Sequence, residues 1–435
     1  MAEFDQAALN LQGLQEEIKS VGGFINSGVE FRQQGCEGVG IFSVTPLSSG
    51  TVIVSVPFNR CLSVEMIETV PAMKQLLEEN LGLRQYPDEI LAIALMHAVL
   101  KPEDECVWRN HLRTFPMKFN TTLYWNEEEL FELKGNNIYH LTKLMQRQID
   151  NDFEQIHKPL SFSYPDVLGG ATRELYTWAL SIIYSRSLEI TRGGSHVRCI
   201  VPVLDMANHN PHSAANPSDT FNYDDATDMV SLMACADLNP GDECYAVYGI
   251  YPNAKLLYNY GFVVQDNPHQ AVDLWTRVSP TTFEAQAKQA FLQDHALTRE
   301  QSYDFKGTLR PNYVAPALLA TIRVIQADAA EMPHLARAVQ GRMISTRNEA
   351  ATYVSLRNML QAKLNLEQAQ SDKKKLGELL LDDTDFSNRL LCALIIRVEE
   401  RQLFEDTLLM VNYWLQMLEE KGTAYIPPDA AATAT

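Results

Sequence analysis

Val201-Pro202-Val203-Leu204-Asp205-Met206-Ala207-Asn208-His209-Asn210-Pro211 carries an apolar run into Asp205, Asn208 and His209, three polar side chains within five positions. The apolar part reads as a buried strand, and polar groups at its exit stand where a site can be built. Two readings of the polar part compete. At i, i+4 and i+7, Asp205, His209 and His212 would share one face of a helix and could ligate a metal. Pro211 interrupts such a helix, and no H-E-x-x-H or C-x-x-C pattern completes a zinc shell, so no metal site is expected. The other reading is a polar loop of turns and caps.

Downstream lies Gly241-Asp242-Glu243-Cys244-Tyr245-Ala246-Val247-Tyr248-Gly249, continuing through Asn253 to Tyr258-Asn259-Tyr260-Gly261-Phe262. Tyr248 and Tyr260 each precede a glycine, and buried tyrosines ordinarily need a partner for the hydroxyl. Far upstream, Glu37-Gly38-Val39-Gly40 precedes the strand-like Ile41-Phe42-Ser43-Val44. A G-x-G without a third glycine opening a helix is not a nucleotide fingerprint. The turn Ser48-Ser49-Gly50 and the run Thr51–Val56, closed by Pro57, predict that these two strands form a hairpin.

Residues 8–27 read as an amphipathic helix and its exit at Gly22-Gly23. Residues 63–190 read as helices over 73–82, 88–100, 127–134, 138–156 and 171–190; strands return at 199–203, 229–236 and 244–247. Beyond residue 280 the pattern is almost wholly helical, over 281–296, 312–328, 333–343, 347–370 and 385–421. Residues 371–385, with Lys373-Lys374-Lys375, read as a charged connector. The expected fold is therefore α+β: a β-rich domain over 20–265 split by a helical insertion at about 63–190, an all-helical domain over 281–421, and a disordered tail over 422–435.

Composition bounds the function. The 435 residues are 46% hydrophobic and carry a net charge of −19. Residues 281–435 hold 17 basic and 20 acidic side chains, so most of the acidity lies before them. That balance gives no basic footprint for nucleic acid. No apolar stretch reaches the ~18–20 residues that cross a bilayer. Seven scattered cysteines, never spaced C-x-x-C, fit a reducing compartment without a disulfide framework. The opening residues lack a targeting pattern, so a cytoplasmic or nuclear monomer is expected, with neither membrane nor direct nucleic-acid partner.

The order of these segments resembles a SET-domain methyltransferase, and more narrowly the branch typified by the plant Rubisco large-subunit lysine methyltransferase. Trp108-Arg109-Asn110-His111-Leu112-Arg113-Thr114-Phe115-Pro116, Trp125 with Glu129-Leu130 and Leu133-Lys134-Gly135, and Trp178-Ala179-Leu180 leading to Ser185-Arg186-Ser187 are similar to the family's insertion. The region after 280 resembles its substrate-binding domain. The resemblance implies S-adenosylmethionine (AdoMet) as cofactor, held by Glu37, Val39, Arg186, Asp205, Asn208, His209 and Tyr248. It implies Tyr248 and Tyr260 as the catalytic pair, and a protein substrate offering an accessible, non-histone lysine. Leu188 stands where the type member carries an aromatic beside the substrate pocket. No cysteine-rich segment follows Tyr260, unlike many histone-directed relatives. A protein-histidine methyltransferase of the actin-directed branch and a non-catalytic adaptor remain the alternatives.

Overall fold

The strand Val52–Pro57 has only Ser55 as a polar residue and is buried along its middle, which suits a central strand. The computed structural model describes residues 2–34, 38–101, 108–213, 219–297, 304–364, 366–382 and 388–424. It divides into two compact units, one comprising 1–126, 140–250 and 255–262, the other 127–139, 251–254 and 263–435.

In the first unit, Val52–Pro57 lies between Phe24–Ile25 and Met229–Met233, and Phe221–Asp224 closes a four-stranded antiparallel sheet. Val29–Gln34 pairs with Gly38–Ser43, and Ser195–Ile200 pairs with both Leu62–Ser63 and Ser187–Arg192. The expected hairpin between 40–44 and 51–57 does not form. The segment after Ser43 is captured instead by residues 238–242, through Ser43 N to Asp242 O at 2.9 Å and the Leu47–Leu238 bridge. The helix expected over 171–190 ends at Arg186, where the chain turns into the strand Ser187–Arg192. Gly193 and Gly194, at φ 55° and 79°, supply the two-residue turn that starts its hairpin partner.

Residues 63–190 are mainly helical. Pro87–Leu100 begins on a proline at its first turn and is buried at every position from Ile90 to Ala98. An all-round apolar helix of this kind needs neighbours on every side, and it packs with Arg173–Arg186 and the short helix Pro165–Leu168 in the larger of the unit's cores.

The second unit corrects two readings. It is mainly helical, yet Val272–Arg277, Asp304–Arg310 and Tyr313–Val314 form an antiparallel sheet, so it is not all-helical. Phe305, Gly307 and Leu309 point inward while Lys306 and Arg310 face out, the period of two that defines a half-buried strand. Gly307 hides that alternation in sequence; a Cβ there would stand 2.2 Å from Leu318 Cβ. The stretch expected as a connector is the helix Leu366–Asp382. Its charges have structural partners: Lys374 faces Glu378 one turn on, and buried Asp372 accepts from Arg397 Nε at 2.9 Å. The last helix, Arg389–Lys421, starts on an Asn388 cap and stops at Gly422 in the left-handed region. The part of the expected disordered tail from 425 onward lies outside the described residues.

Candidate functional site

Three backbone segments of the first unit stack side by side. Cys244 N donates to Ile41 O at 2.7 Å on one flank of the 242–248 segment. On the other flank Ala246 N donates to Asn208 O at 2.8 Å and Asn210 N donates to Ala246 O at 3.1 Å. This parallel bridge to His209 turns His209's own amide and carbonyl away from Ala246, toward the opposite side. The Asn208 side chain crosses the stack and donates to Glu243 Oε1 at 2.8 Å. Gly40 leaves room for that bond: a Cβ there would meet Glu243 Oε1 at 2.5 Å and Asn208 Nδ2 at 3.2 Å.

Just before the stack the backbone is strained. Val203 has φ 66° and ψ −41°, with Leu204 N donating to Pro202 O at 2.7 Å. This is a γ-turn in its less favoured form, on a buried β-branched residue, and such geometry costs about 1–3 kcal/mol. The turn delivers Asp205 into the interior, where its side chain is 1% exposed.

Asp205 is the electrostatic centre. Arg186 Nη1 lies 2.8 Å from Asp205 Oδ2 and 3.2 Å from its carbonyl, and His111 Nε2 lies 3.0 Å from the same Oδ2. Burial alone would raise this carboxyl, but the His111 ring and the Arg186 guanidinium outweigh it and hold it below its ordinary value. Asp205 Oδ1 finds no hydrogen-bond partner among the described residues. An ionised oxygen left bare in the interior is costly, and a donor reaching this atom would stabilise it. Arg186 keeps 20% of its side chain exposed and spans the Phe115 ring at 5.6 Å.

The aromatic wall follows. Tyr248 N donates to His209 Nδ1 at 3.1 Å, and the two rings stack at 5.0 Å. The Tyr248 hydroxyl donates to Ala207 O at 2.9 Å, which commits its proton and leaves its oxygen as an acceptor. Burial pushes this phenol up, with Arg186 opposing and Asp205 and Glu243 adding, so it stays a neutral hydroxyl. Tyr260 closes the helix Asn253–Tyr260, its ring 4.8 Å from that of Tyr248. Gly261 then turns at φ 85° where a Cβ would sit 2.9 Å from the Asn120 and Thr121 backbone. No bulkier residue could follow Tyr260 there.

Arg186, Asp205, Asn208, His209, Tyr248 and Tyr260 thus gather in this unit. Val39, opposite Gln33, sits on the neighbouring strand and packs on the core beneath. Glu37 lies outside the described residues. Leu188 is half-buried opposite Cys199. Among the described residues no group of three His, Cys, Asp or Glu side chains is arranged for a metal. His111 and Glu243 join the site without belonging to the expected set of site residues. Glu243 had a signal in its place next to the Gly241-Asp242 turn, but nothing local marked His111 for Asp205.

The family model described as Rubisco LSMT substrate-binding matches residues 279–404. The chloroplastic ribulose-1,5-bisphosphate carboxylase/oxygenase large subunit N-methyltransferase of Nicotiana tabacum is 22% identical over 393 residues, covering 85% of this chain and 75% of that protein. The actin-histidine N-methyltransferase of Mus musculus is 25% identical over 405 residues, covering 89% of this chain and 66% of that one. Among solved structures, the SET domain of LSMT bound to lysine and AdoHcy has a TM-score of 0.76 at 19% identity, with 98% of each chain covered. The fold is that of LSMT, α+β with a mainly helical C-terminal region. The plant relative is chloroplastic by name, and the comparisons lend no support to the cytoplasmic placement expected from the sequence.

Proposed function

We propose, from the premise that the chain is a Rubisco LSMT-like SET-domain protein, that it is an AdoMet-dependent protein methyltransferase acting on a lysine ε-amine. The observation that carries this reading is the bare Oδ1 of ionised Asp205, held beside Arg186 and within the electrostatic reach of Tyr248. A zwitterionic aminocarboxylate matches that pair: a cation for Asp205, a carboxylate for Arg186. Asn208 and the main chain of His209 would hold the rest of the cofactor, the latter through the donor and acceptor that face away from Ala246. When bound, AdoMet supplies an electrophilic methyl on a cationic sulfonium.

The protein's own task is placement. Collinear positioning of an acceptor in such a displacement can contribute ~7–11 kcal/mol. Tyr248's oxygen, its proton committed to Ala207, offers lone pairs for weak C–H···O contacts with a polarised methyl. A lysine must arrive neutral, against a free pKa of about 10.4, and an apolar aromatic wall beside a cation lowers it. No dedicated base is then required. Tyr260 is assigned to accept an N–H from the amine, leaving the nitrogen lone pair for the methyl.

The second reading is a histidine acceptor, favoured by the match to the actin-histidine enzyme over 405 residues. The retained Tyr260 supports lysine, because a reacting imidazole nitrogen has no proton to give it. Incubation with tritiated AdoMet and cell lysate, followed by mass spectrometry of labelled peptides, tests both. Label on lysine is expected; label on histidine alone overturns the acceptor, and no protein label overturns the activity. The second unit, holding the Rubisco LSMT substrate-binding match, is assigned to recognising the protein substrate.

A further inference from the structure

We propose that His111 is a positioning residue for the cofactor: it fixes the Asp205 carboxylate, which fixes the Arg186 guanidinium. The inference deepens the AdoMet reading and rests on it. His111 and Asp205 are each 1% exposed and 3.0 Å apart, so neither has room to choose another orientation. The His111 ring also meets Phe115 edge-on, at 4.6 Å and 61°, and Phe115 in turn lies under Arg186. His111 and Arg186 therefore bracket Asp205 with one aromatic ring bracing both.

The short helix Arg109–Leu112 that carries His111 is itself pinned. Asn110 Nδ2 donates to Glu17 Oε2 at 2.5 Å, and Asn10 Nδ2 donates to Arg113 O at 3.1 Å, both from the N-terminal helix Ala2–Ser20. Thr114 Oγ1 donates to His111 O at 2.7 Å and tightens its exit. A histidine that only filled space here would be a poor choice. Neither His111 nitrogen makes a well-aligned hydrogen bond among the described residues, a loss that an apolar side chain of similar size would avoid, and what Nε2 keeps is its close approach to Asp205 Oδ2 at 3.0 Å. What an apolar ring cannot do is hold a buried carboxylate.

Two variants separate these roles by the order of their effects. His111→Phe keeps the ring and removes both nitrogens; His111→Gln removes the ring and keeps an N–H donor at similar reach. Titration calorimetry with AdoMet on the full chain gives the affinities, and thermal melting reports folding. Positioning predicts that His111→Phe weakens AdoMet binding about tenfold, while His111→Gln stays within about threefold of wild type. In the background of Asp205→Asn, the further loss from His111→Phe should shrink below about threefold, since the carboxylate it acts through is gone. The reverse order, with Phe tolerated and Gln damaging, makes His111 a packing residue and overturns the proposal. Equal losses in both folded variants overturn it too. Should His111→Phe not fold, a folded His111→Gln that loses tenfold in affinity is still enough to overturn it. A wild-type chain that binds no AdoMet overturns the methyltransferase reading itself, and this role with it.

Discussion

Asp205 in the first unit and Glu400 in the second are both carboxylates drawn out of water, and they settle on opposite sides of neutrality. Asp205 faces His111 and Arg186 and is held below its ordinary range. Glu400 accepts from Asn136 Nδ2 at 2.5 Å, with the Lys363 charge adding a weaker pull, and its neighbour Glu399 accepts from Asn253 Nδ2 at 2.7 Å. Burial, only partly offset by these bonds, pushes each up to about 7. The two glutamates line a small pocket of about 20 Å³ with Pro252, Ala254, Ile396 and Leu403. Burial therefore does not decide whether a carboxylate stays charged; the charge of its partners does. The first arrangement favours the anion, and the second favours the protonated acid.

The sharpest way to break this comparison is to remove the charge at Asp205. Asp205→Leu strands Arg186 and His111, and we expect a stability loss of about 3 kcal/mol with no measurable AdoMet binding. Denaturant unfolding and calorimetry check it, and a variant as stable as wild type would show that Arg186 and His111 had never depended on the carboxylate. Next in size is the tyrosine pair. Tyr248→Phe should slow methyl transfer more than tenfold; Tyr260→Phe should cost roughly threefold to tenfold or change the number of methyls added. Mass-resolved kinetics on the labelled protein would reverse the assignment if Tyr260→Phe were the more damaging.

Asn208→Ala removes the donor to Glu243, and we expect about 1–2 kcal/mol of lost stability together with weaker AdoMet binding. Unchanged melting temperature and cofactor affinity would place Asn208 outside both tasks. The smallest effect belongs to the second unit. An unfolded glutamate ionises near 4.5 and the folded Glu400 near 7, so the folded chain binds more protons between those values. Its contribution is present below about 4.5 and is lost as pH rises to about 7. Glu400→Gln should match wild type at pH 4.5 and melt higher at pH 8. Equal melting at both values would mean the site is not held neutral.

The sequence announced these two regions unevenly. Asp205, Asn208, His209 and the two Tyr-Gly steps were legible because an apolar run, a polar exit and glycines follow one another locally. The helical run Ile90–Ala98 was legible because unbroken apolar sequence leaves little choice. His111 escaped because its partner is 94 positions away, and only the packed interior brings the two within 3.0 Å. The strand Asp304–Arg310 escaped because Gly307 blanks one beat of its alternation, and the helix Leu366–Asp382 because its lysines look solvated until Asp372 finds Arg397. The γ-turn at Val203 has no signature at all, since valine is among the residues least expected there.

The central claim is that the first unit binds AdoMet around Asp205 and Arg186. Ultraviolet cross-linking of methyl-tritiated AdoMet to the full chain, with peptide mapping and unlabelled AdoMet as competitor, tests it most directly. The account predicts competable label in peptides from residues 38–43, 186–210 or 243–262, and its disappearance in Asp205→Leu. Label confined to residues 263–424, or label that unlabelled AdoMet does not displace, would contradict it.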